Sequence, residues 1–509
     1  MAQEIELKLA LHPDDLDGLL AHPLLLAHVH RLEELQNTYF DTPALALLQQ
    51  RLAVRERQNG ERTLLTVKTA GSSSAGLSQR GEWEAPTTPG QFDFAALVDD
   101  AELAQQLTRL AWQLVPVFRT DFKRRCWLLS YGGAQIELAL DQGFIVTGAA
   151  PAERRQPILE LELELLGGPA AALVDLAHTL ALGPQGQARS GLRLHPIERS
   201  KAERGYALYQ SSVLKPLKAR ALQLSPEQTP LQAFCSAALE CLSHLQANSA
   251  GLLLNQASDP LPPPEFAHQA RVALRRLRSG LRLFGPELPR RFVLHWSLQW
   301  KHLASLLGEQ RNWDVFATEC LPGLQGASAP LEIESVAQWA ERQRRAAAQR
   351  SSDELASSAQ ALRLLAFMHA VLSLQQRKTK KPLALAHWAR EQLALRHQRL
   401  RRAAKEASQL GPQGRHELRL KLKQLRYAQE FLSSLLPPKQ TELSTAALAG
   451  AQELLGRLND ISTAQALLDE CPLPAAAALH ELLQARLEQG LLELPALERQ
   501  LAQSPLPWD

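Results

Sequence analysis

The sequence predicts an α+β multidomain protein, with an antiparallel β domain at the N-terminal end followed by an all-α helical bundle. In residues 1–210, charged and apolar side chains alternate in several runs, a period of two that is typical of β-strands. From about residue 222 the composition changes to Leu, Ala, Arg and Gln at helical spacing. The second half also contains a segment that recurs at a constant offset of 148 residues, which indicates a duplicated helical unit.

Two runs show the strand alternation most clearly: "EIELKLAL" (4–11) and "ILELELELL" (158–166). Successive side chains on a strand point to opposite faces, so each run has one charged face and one apolar face. The charged residues of the two runs are Glu4, Glu6, Lys8, Glu160, Glu162 and Glu164.

Two further segments predict hairpins. The first, residues 51–69, contains Asn59-Gly60, a dipeptide typical of a two-residue turn. The second, residues 122–145, turns at Gly132-Gly133, and this register places Arg124 opposite Asp141. A helix is expected over residues 169–182.

The charges segregate between strands, with arginine and lysine on some and glutamate on others. A sheet with one solvated face is one interpretation of such a pattern. A closed barrel with a charged interior accounts better for the segregation of the two signs. Acidic strands could hold a divalent metal and basic strands a polyanion, and a metal-bridged phosphate requires both.

Length and composition exclude several protein classes. A chain of 509 residues with 45% hydrophobic residues is expected to form more than one soluble domain. Five dispersed cysteines make neither a disulfide framework nor a zinc site. The sequence has no signal-peptide pattern and no apolar run of membrane-spanning length, so we expect a cytoplasmic protein. Residues 1–210 carry 20 basic and 26 acidic residues, whereas the remainder carries 36 and 27, which indicates two domains with different partners.

The helical half is expected to begin at "SPEQ" (225–228), with Ser225 as the N-cap. "HQARVALRRLR" (268–278) corresponds to "HELRLKLKQLR" (416–426), and "LLGEQRN" (306–312) to "LLGRLND" (454–460). On a helix, the basic residues of each copy are spaced by three and four and therefore form one stripe. A single stripe of this kind is usually a solvated face, but two copies at duplicated positions favour a shared anion site. The two stripes consist of His268, Arg271, Arg275 and Arg278, and of His416, Arg419, Lys423 and Arg426.

The first 205 residues resemble the CYTH, or triphosphate-tunnel, family. "EIELKL" matches its ExExK signature, and "AVRER" (53–57), "TVK" (66–68), "RRCW" (124–127) and "ERSKAERGYAL" (198–208) resemble its later motifs in order. The resemblance implies an eight-stranded antiparallel barrel that binds triphosphate compounds with Mg²⁺ or Mn²⁺. Members hydrolyse inorganic triphosphate or thiamine triphosphate, and some cyclise ATP.

The same resemblance implies roles for individual residues. Glu6 and Lys8 would be catalytic. Substrate would be bound by Lys8, Arg55, Arg57, Lys68, Arg80, Arg124 and Lys201. The metal would be held by Glu4, Glu6, Asp141, Glu160 and Glu162. Glu82, Glu84, Glu137 and Glu164 are weaker candidates, and we interpret Glu84 and Glu164 as salt-bridge partners.

"HQARVALRRLRSGLRLF" (268–284) and "LASLLGEQRNWDVF" (303–316) resemble the CHAD domain, a helical domain commonly fused after CYTH. CHAD domains resemble inorganic polyphosphate binders, which would make the two basic stripes a polyphosphate site. We therefore expect a tunnel domain at 1–205, a linker at 206–221 and a helical domain at 222–505, with repeat halves of about 222–370 and 371–505.

These expectations combine into one leading hypothesis, a metal-dependent inorganic triphosphatase, acting on a phosphoric anhydride, with a polyphosphate-binding helical domain. Its partners would be inorganic triphosphate and inorganic polyphosphate, without a membrane, and granule association is a further expectation. One alternative is a non-catalytic polyphosphate-binding or granule-targeting protein, and another is a class IV-like adenylate cyclase. Nucleic-acid binding ranks last, because the basic stripes lack interleaved aromatic residues for base stacking.

Overall fold

A computed structural model describes residues 2–69, 71–148, 152–254, 261–324, 330–377 and 384–508. The chain divides into two compact units. The first comprises Met1–Lys215 together with Ala356–Ser373, and the second comprises Pro216–Leu355 and Leu374–Asp509. The segment Ala356–Ser373, which the sequence analysis assigned to the helical domain, therefore clusters with the first unit.

The first unit contains a closed eight-stranded antiparallel barrel, as predicted. Its sheet is built from strands β1 (Ala2–Leu11), β2 (His30–Asp41), β3 (Ala53–Asn59), β4 (Arg62–Lys68), β5 (Ser72–Ser74), β6 (Leu77–Pro86), β7 (Val115–Tyr131), β8 (Ala134–Thr147), β9 (Arg154–Gly167) and β10 (Leu194–Pro196). The order is β10-β1-β9-β8-β7-β2-β3-β4-β6-β5, and the additional pairing of β1 with β6 closes the barrel. The short strands β5 and β10 pair with β6 and β1 outside the closed ring.

Both predicted hairpins form, but only the second has the predicted register. Arg124 lies opposite Asp141 in the β7–β8 ladder, as the turn at Gly132-Gly133 predicts. The predicted turn at Asn59-Gly60 is wrong by one residue, because Asn59 pairs with Arg62. Gly60, with φ of 60°, takes the first central position of the turn, where positive φ favours glycine.

The first unit also contains short helices, several of which pack against strands of the barrel. They are α1 (Leu16–Leu20), α2 (Pro23–Leu26), α3 (Ala46–Gln49), α4 (Phe94–Leu97), α5 (Ala101–Leu110), α6 (Ala171–Ala181) and α7 (Lys201–Tyr209). Trp83, Phe94 and Leu107 belong to an apolar cluster formed by β3, β4 and β6 with α3, α4 and α5. A second cluster joins Tyr206 of α7 to Tyr39, Phe118 and Phe122 of the barrel.

The second unit consists of long helices. Those from residue 230 onward are α8 (Pro230–Leu253), α9 (Pro264–Leu283), α10 (Arg290–Val315), α11 (Pro330–Ala356), α12 (Ser358–Gln375), α13 (Leu385–Ala404), α14 (Pro412–Leu432), α15 (Pro438–Asp469), α16 (Ala475–Leu491) and α17 (Leu494–Ala502), and most of α12 clusters with the first unit. The expected helix start at Ser225 is wrong, since Thr229 caps α8 and forms a capping box with Gln232.

The repeated segments lie within helices at corresponding places. Residues 268–278 belong to α9 and residues 416–426 to α14, and these two helices contact each other. The shorter repeats, 306–312 and 454–460, lie in α10 and α15, which follow α9 and α14 in the chain. No single described helix is both long and apolar enough to cross a membrane, although the bent pair Ile333–Ala356 with Ser358–Gln375 meets the length and composition criteria.

Candidate functional site

Charged side chains from seven barrel strands and helix α7 share the interior of the barrel. Among the described residues, the carboxylates of this lining are Glu4, Glu6, Glu82, Glu84, Asp141, Glu160, Glu162 and Glu164. Its cations are Lys8, Arg55, Arg57, Lys68, Arg80, Arg124, Lys201 and Arg204. The strand period of two brings the predicted residues to one face, and the closed barrel turns that face inward.

Three carboxylates form a compact group at one part of the interior. Asp141 on β8 and Glu160 and Glu162 on β9 offer oxygen atoms that lie within 4.8 Å of one another. Asp141 and Glu160 are almost fully buried. Carboxylate oxygens at this spacing suit a hard divalent cation, which takes oxygen ligands at about 2.0–2.6 Å. The residues present therefore fit the metal that the sequence analysis expects.

Lys201 and Arg124 form ion pairs with this carboxylate group. The Nζ atom of Lys201 lies 2.6 Å from Asp141, 2.5 Å from Glu160 and 2.9 Å from Glu162. Arg124 donates two hydrogen bonds of 2.7 Å to the oxygens of Asp141 and a third to Glu162. Although burial favours the neutral acid, Lys201 and Arg124 hold the pKa of Glu162 well below its usual range.

Glu4 and Glu6, which were expected to join the metal ligands, lie outside that three-carboxylate group and pair with other cations. Glu4 accepts from Lys68 at 3.2 Å and from Arg80 at 3.1 Å. Glu6 accepts from Arg80, from Lys8 and from the hydroxyl of Ser78 at 3.1 Å. The pairing of β1 with β6 creates this second group, because it places Glu4 directly opposite Arg80.

Arg55 is a buried arginine with incomplete hydrogen bonding. It is 8% exposed, and its Nη1 donates to the hydroxyl of Tyr39 at 3.4 Å. Its Nε and Nη2 atoms are buried and have no hydrogen-bond acceptor within the described residues, and the nearest carboxylate, Glu82, lies 3.7 Å away. Buried donors in native proteins are almost always satisfied, so two such groups on a cation indicate a place for an anionic ligand.

Arg57 and Lys68 are buried near other cations, and both have lowered pKa values. Burial and the neighbouring Arg55 lower the pKa of Arg57. Burial, then Arg80 and Arg55, lower the pKa of Lys68. A cation whose pKa is lowered by other cations gains stability when an anion binds beside it.

The weaker candidates behave differently from one another. Glu82 is held by Lys68 at 2.7 Å, and despite burial its pKa is lowered to about 2, with Arg55 contributing. Glu84 pairs with Arg57 at 3.5 Å, in agreement with the interpretation of a salt-bridge partner. For Glu164 that interpretation is wrong, since it forms no ion pair with any described residue. Burial and the nearby Glu4, Glu137 and Glu82 raise the pKa of Glu164 to about 7. Glu137 itself pairs with the exposed Arg31 at 2.8 Å.

Helix α7 brings Lys201 into the barrel. Ser200 caps the helix and forms a capping box with Glu203, which places Lys201 in the first turn. A side chain at Gly205 would lie 2.1 Å from the ring of Phe118, so glycine allows the helix to approach the barrel closely. Arg204, on the same helix, pairs with Glu160 and was missed by the sequence analysis. Its spacing of three from Lys201 is the signal that could have identified it.

The second unit contains a separate group of cations on α9 and α14. Arg271 and Arg275 of α9 and Arg419 and Lys423 of α14 interact electrostatically with one another. Burial, with Arg275 and Arg419, lowers the pKa of Arg271 to about 10. Burial, then Arg275, Arg419 and Arg271, lower the pKa of Lys423 to about 6. We call these four residues the cation cluster.

Other members of the two predicted stripes lie in different surroundings. His268 is near the cluster, and burial together with Arg311 lowers its pKa. His416 is exposed, and Arg426 donates to Gln452 at 2.7 Å. Arg278 is next to Arg282, whose pKa is lowered by burial and then by Arg278.

Two residues near the cluster were not predicted. Arg311 of α10 lies close enough to affect both His268 and Arg271. Tyr427 of α14 has its ring 5.6 Å from the guanidinium of Arg275, a cation–π arrangement that orients the arginine. Tyr427 follows the second stripe directly in sequence, but its ring position depends on the packing of α9 against α14.

Comparisons with known proteins agree with this two-part organisation. A CYTH domain model matches residues 2–193 and a CHAD domain model matches residues 236–469. The chain is similar to an inorganic triphosphatase of Haemophilus influenzae, 36% identical over 218 residues that make up 41% of this chain and 55% of that protein. The match thus spans about half the length of that relative.

Two solved structures are also similar to parts of the chain. The CHAD domain of the plant Ricinus communis is 30% identical, with a TM-score of 0.49, over 58% of this chain and 98% of the other. A Hippeastrum protein, described as a candidate adenylyl cyclase with a dominant triphosphatase activity, is 20% identical, with a TM-score of 0.29, over 42% of this chain and 98% of the other. The chain contains a CYTH domain at residues 2–193 followed by a CHAD domain at residues 236–469.

Proposed function

We propose that the barrel hydrolyses inorganic triphosphate to diphosphate and phosphate, and that the cation cluster of the helical unit binds inorganic polyphosphate. The observation that carries the first part is Arg55, which has two buried donors without an acceptor in the described part of the chain and lies beside Arg57 and Lys68. The similarity to an inorganic triphosphatase supports the same substrate.

The carboxylate group of Asp141, Glu160 and Glu162 would hold the divalent metal, Mg²⁺ or Mn²⁺. Such an ion neutralises charge on a phosphoryl group and lowers the barrier to its transfer. The transition state of this reaction spreads negative charge over the phosphoryl oxygens, so fixed cations supply much of the stabilisation. Arg55, Arg57 and Lys68 would provide these cations from β3 and β4.

Glu6 is the residue we assign to the attacking water. In the protein alone its carboxylate accepts from Arg80, Lys8 and Ser78. A bound triphosphate would draw Arg80 and Lys8 toward its own oxygens. Glu6 would then have free acceptor capacity and could orient a water molecule and take its proton.

Polyphosphate binding by the helical unit follows from the electrostatics of the cation cluster. Burial and the neighbouring cations lower the pKa of Arg271, Arg419 and Lys423, so a bound anion would stabilise the charged forms of these side chains. Arginine suits phosphate because its guanidinium can donate two parallel hydrogen bonds. A chain of phosphates could engage several of these groups at once.

The test is phosphate release by the purified full-length protein, with Mg²⁺ and with Mn²⁺. The substrates compared are inorganic triphosphate, ATP, thiamine triphosphate and long-chain polyphosphate, and cyclic AMP is assayed in the ATP reaction. Strong release from inorganic triphosphate is expected. Absence of release from every substrate, with polyphosphate still bound, would replace the enzyme proposal by a binding protein, and cyclic AMP formation would replace it by a cyclase.

A further inference from the structure

The ammonium of Lys201 lies at the centre of the carboxylates that fit a metal. It contacts one oxygen each of Asp141, Glu160 and Glu162 at 2.5–2.9 Å. The ammonium donates a hydrogen bond to Glu162 and is ion-paired with Asp141 and Glu160. Lys201 is 6% exposed, and its Nζ also lies 5.2 Å from the centre of the Phe122 ring. The cation is therefore enclosed as well as neutralised.

The same three carboxylates would be the ligands of a divalent ion. Each offers one ligand oxygen, these oxygens lie within 4.8 Å of one another, and each side chain also has an oxygen in contact with Lys201. A metal at the usual ligand distance of about 2.0–2.6 Å would have to share this space with an ammonium. Two cations in a buried site repel each other strongly, so the metal requires Lys201 to move.

Charge balance in this part of the barrel leads to the same conclusion. Among the described residues, the three carboxylates are ion-paired with three cations, Lys201, Arg124 and Arg204. This group is neutral without a metal, and a divalent ion alone would leave two uncompensated positive charges in a buried place. An anion that arrives with the metal removes that excess and offers the displaced ammonium a new partner.

The position of Lys201 makes such a movement feasible. The residue occupies the first turn of α7, where the helix dipole disfavours a cation, so its place depends on the carboxylates. Close packing of Gly205 on Phe118 holds the helix itself. The four-carbon stem of lysine can swing without a shift of the helix.

We propose that Lys201 excludes the metal from the barrel when no triphosphate is bound. Its ammonium leaves the three carboxylates only when triphosphate is present, so metal and triphosphate bind cooperatively. The proposal rests on the proposed function, and it makes Lys201 a residue that restricts metal recruitment to the substrate-bound state. By linkage, the factor by which triphosphate tightens metal binding equals the factor by which the metal tightens triphosphate binding.

The experiment measures Mn²⁺ binding to the full-length protein by electron paramagnetic resonance of free Mn²⁺. Titrations are run with and without a methylene-bridged triphosphate analogue, after correction for the manganese–analogue complex in buffer. For the wild-type protein we expect the analogue to tighten Mn²⁺ binding by about tenfold to a hundredfold. In Lys201→Met we expect tighter Mn²⁺ binding without the analogue and loss of most of the coupling. Lys123→Met is the matched control, because Lys123 is an exposed lysine on β7 that pairs with Glu34.

Equal Mn²⁺ affinity of the wild-type protein with and without bound analogue would overturn the proposal, and this measurement needs no variant. Unchanged Mn²⁺ affinity of Lys201→Met relative to Lys123→Met would overturn it as well. If triphosphate is hydrolysed in either case, only the role of Lys201 fails. If the protein neither hydrolyses triphosphate nor binds the analogue, the proposed function fails too.

Discussion

Polyphosphate binding by the helical unit should weaken as pH rises, because of Lys423. Burial and the three arginines of the cation cluster lower the pKa of Lys423 to about 6. At that pKa, roughly 10% of the lysine is charged at pH 7 and roughly 1% at pH 8 in the free protein. A bound polyanion favours the charged form, so binding at these pH values must take up about one proton.

The sign and size of the effect follow from this linkage. Well below pH 6 the lysine is already charged and contributes its full attraction. Above pH 6, protonation has to accompany binding, and the affinity falls by about tenfold per pH unit until the pKa of the bound state is reached. The window from pH 7 to 9 avoids His268, whose pKa is lowered, and the terminal phosphates, which titrate near pH 6.

The assay is isothermal titration calorimetry of the full-length protein with long-chain polyphosphate at constant ionic strength. Measurements in buffers of different ionisation enthalpy give the proton uptake directly. Lys423→Met should remove the pH dependence in this window, whereas Lys439→Met, a change at an exposed lysine of α15, should retain it. A wild-type affinity that is constant between pH 7 and 9, with no proton uptake, would refute the reasoning.

Three further outcomes are expected. Glu6→Ala should lower phosphate release from triphosphate by at least about a hundredfold in protein that remains folded, and normal turnover would contradict its assignment. Arg55→Met should reduce kcat/KM for triphosphate by about a hundredfold, because buried phosphate donors are removed; an unchanged kcat/KM would mean that its free donors serve no ligand. The double variant Arg275→Ala, Lys423→Ala should weaken polyphosphate binding in a pull-down and spare triphosphate hydrolysis, and a parallel loss of both would show that the two activities are coupled.

Local patterns predicted the parts of the fold that depend on neighbours in sequence. The alternation in "EIELKLAL" and "ILELELELL" identified strands and the faces that carry charge. The second hairpin was predicted in register because the glycine pair specifies its turn. The start of α8 was predicted too early, because Ser225-Pro226 and Thr229-Pro230 are both plausible caps and only the second forms a capping box.

The sequence by itself determined the residue types and the strand faces on which they lie, and therefore the chemistry available. The tertiary structure decided which charged side chains contact one another. Closure of β1 onto β6 sets Glu4 against Arg80, and α7 carries Lys201 into a carboxylate group that is contributed by two other strands. Helices α9 and α14 unite two basic stripes that are 148 residues apart. Contacts of this kind depend on barrel closure and helix packing, and the local periodicity of the sequence does not predict them. These contacts decide whether a charged side chain is neutralised by the protein or is available to a ligand.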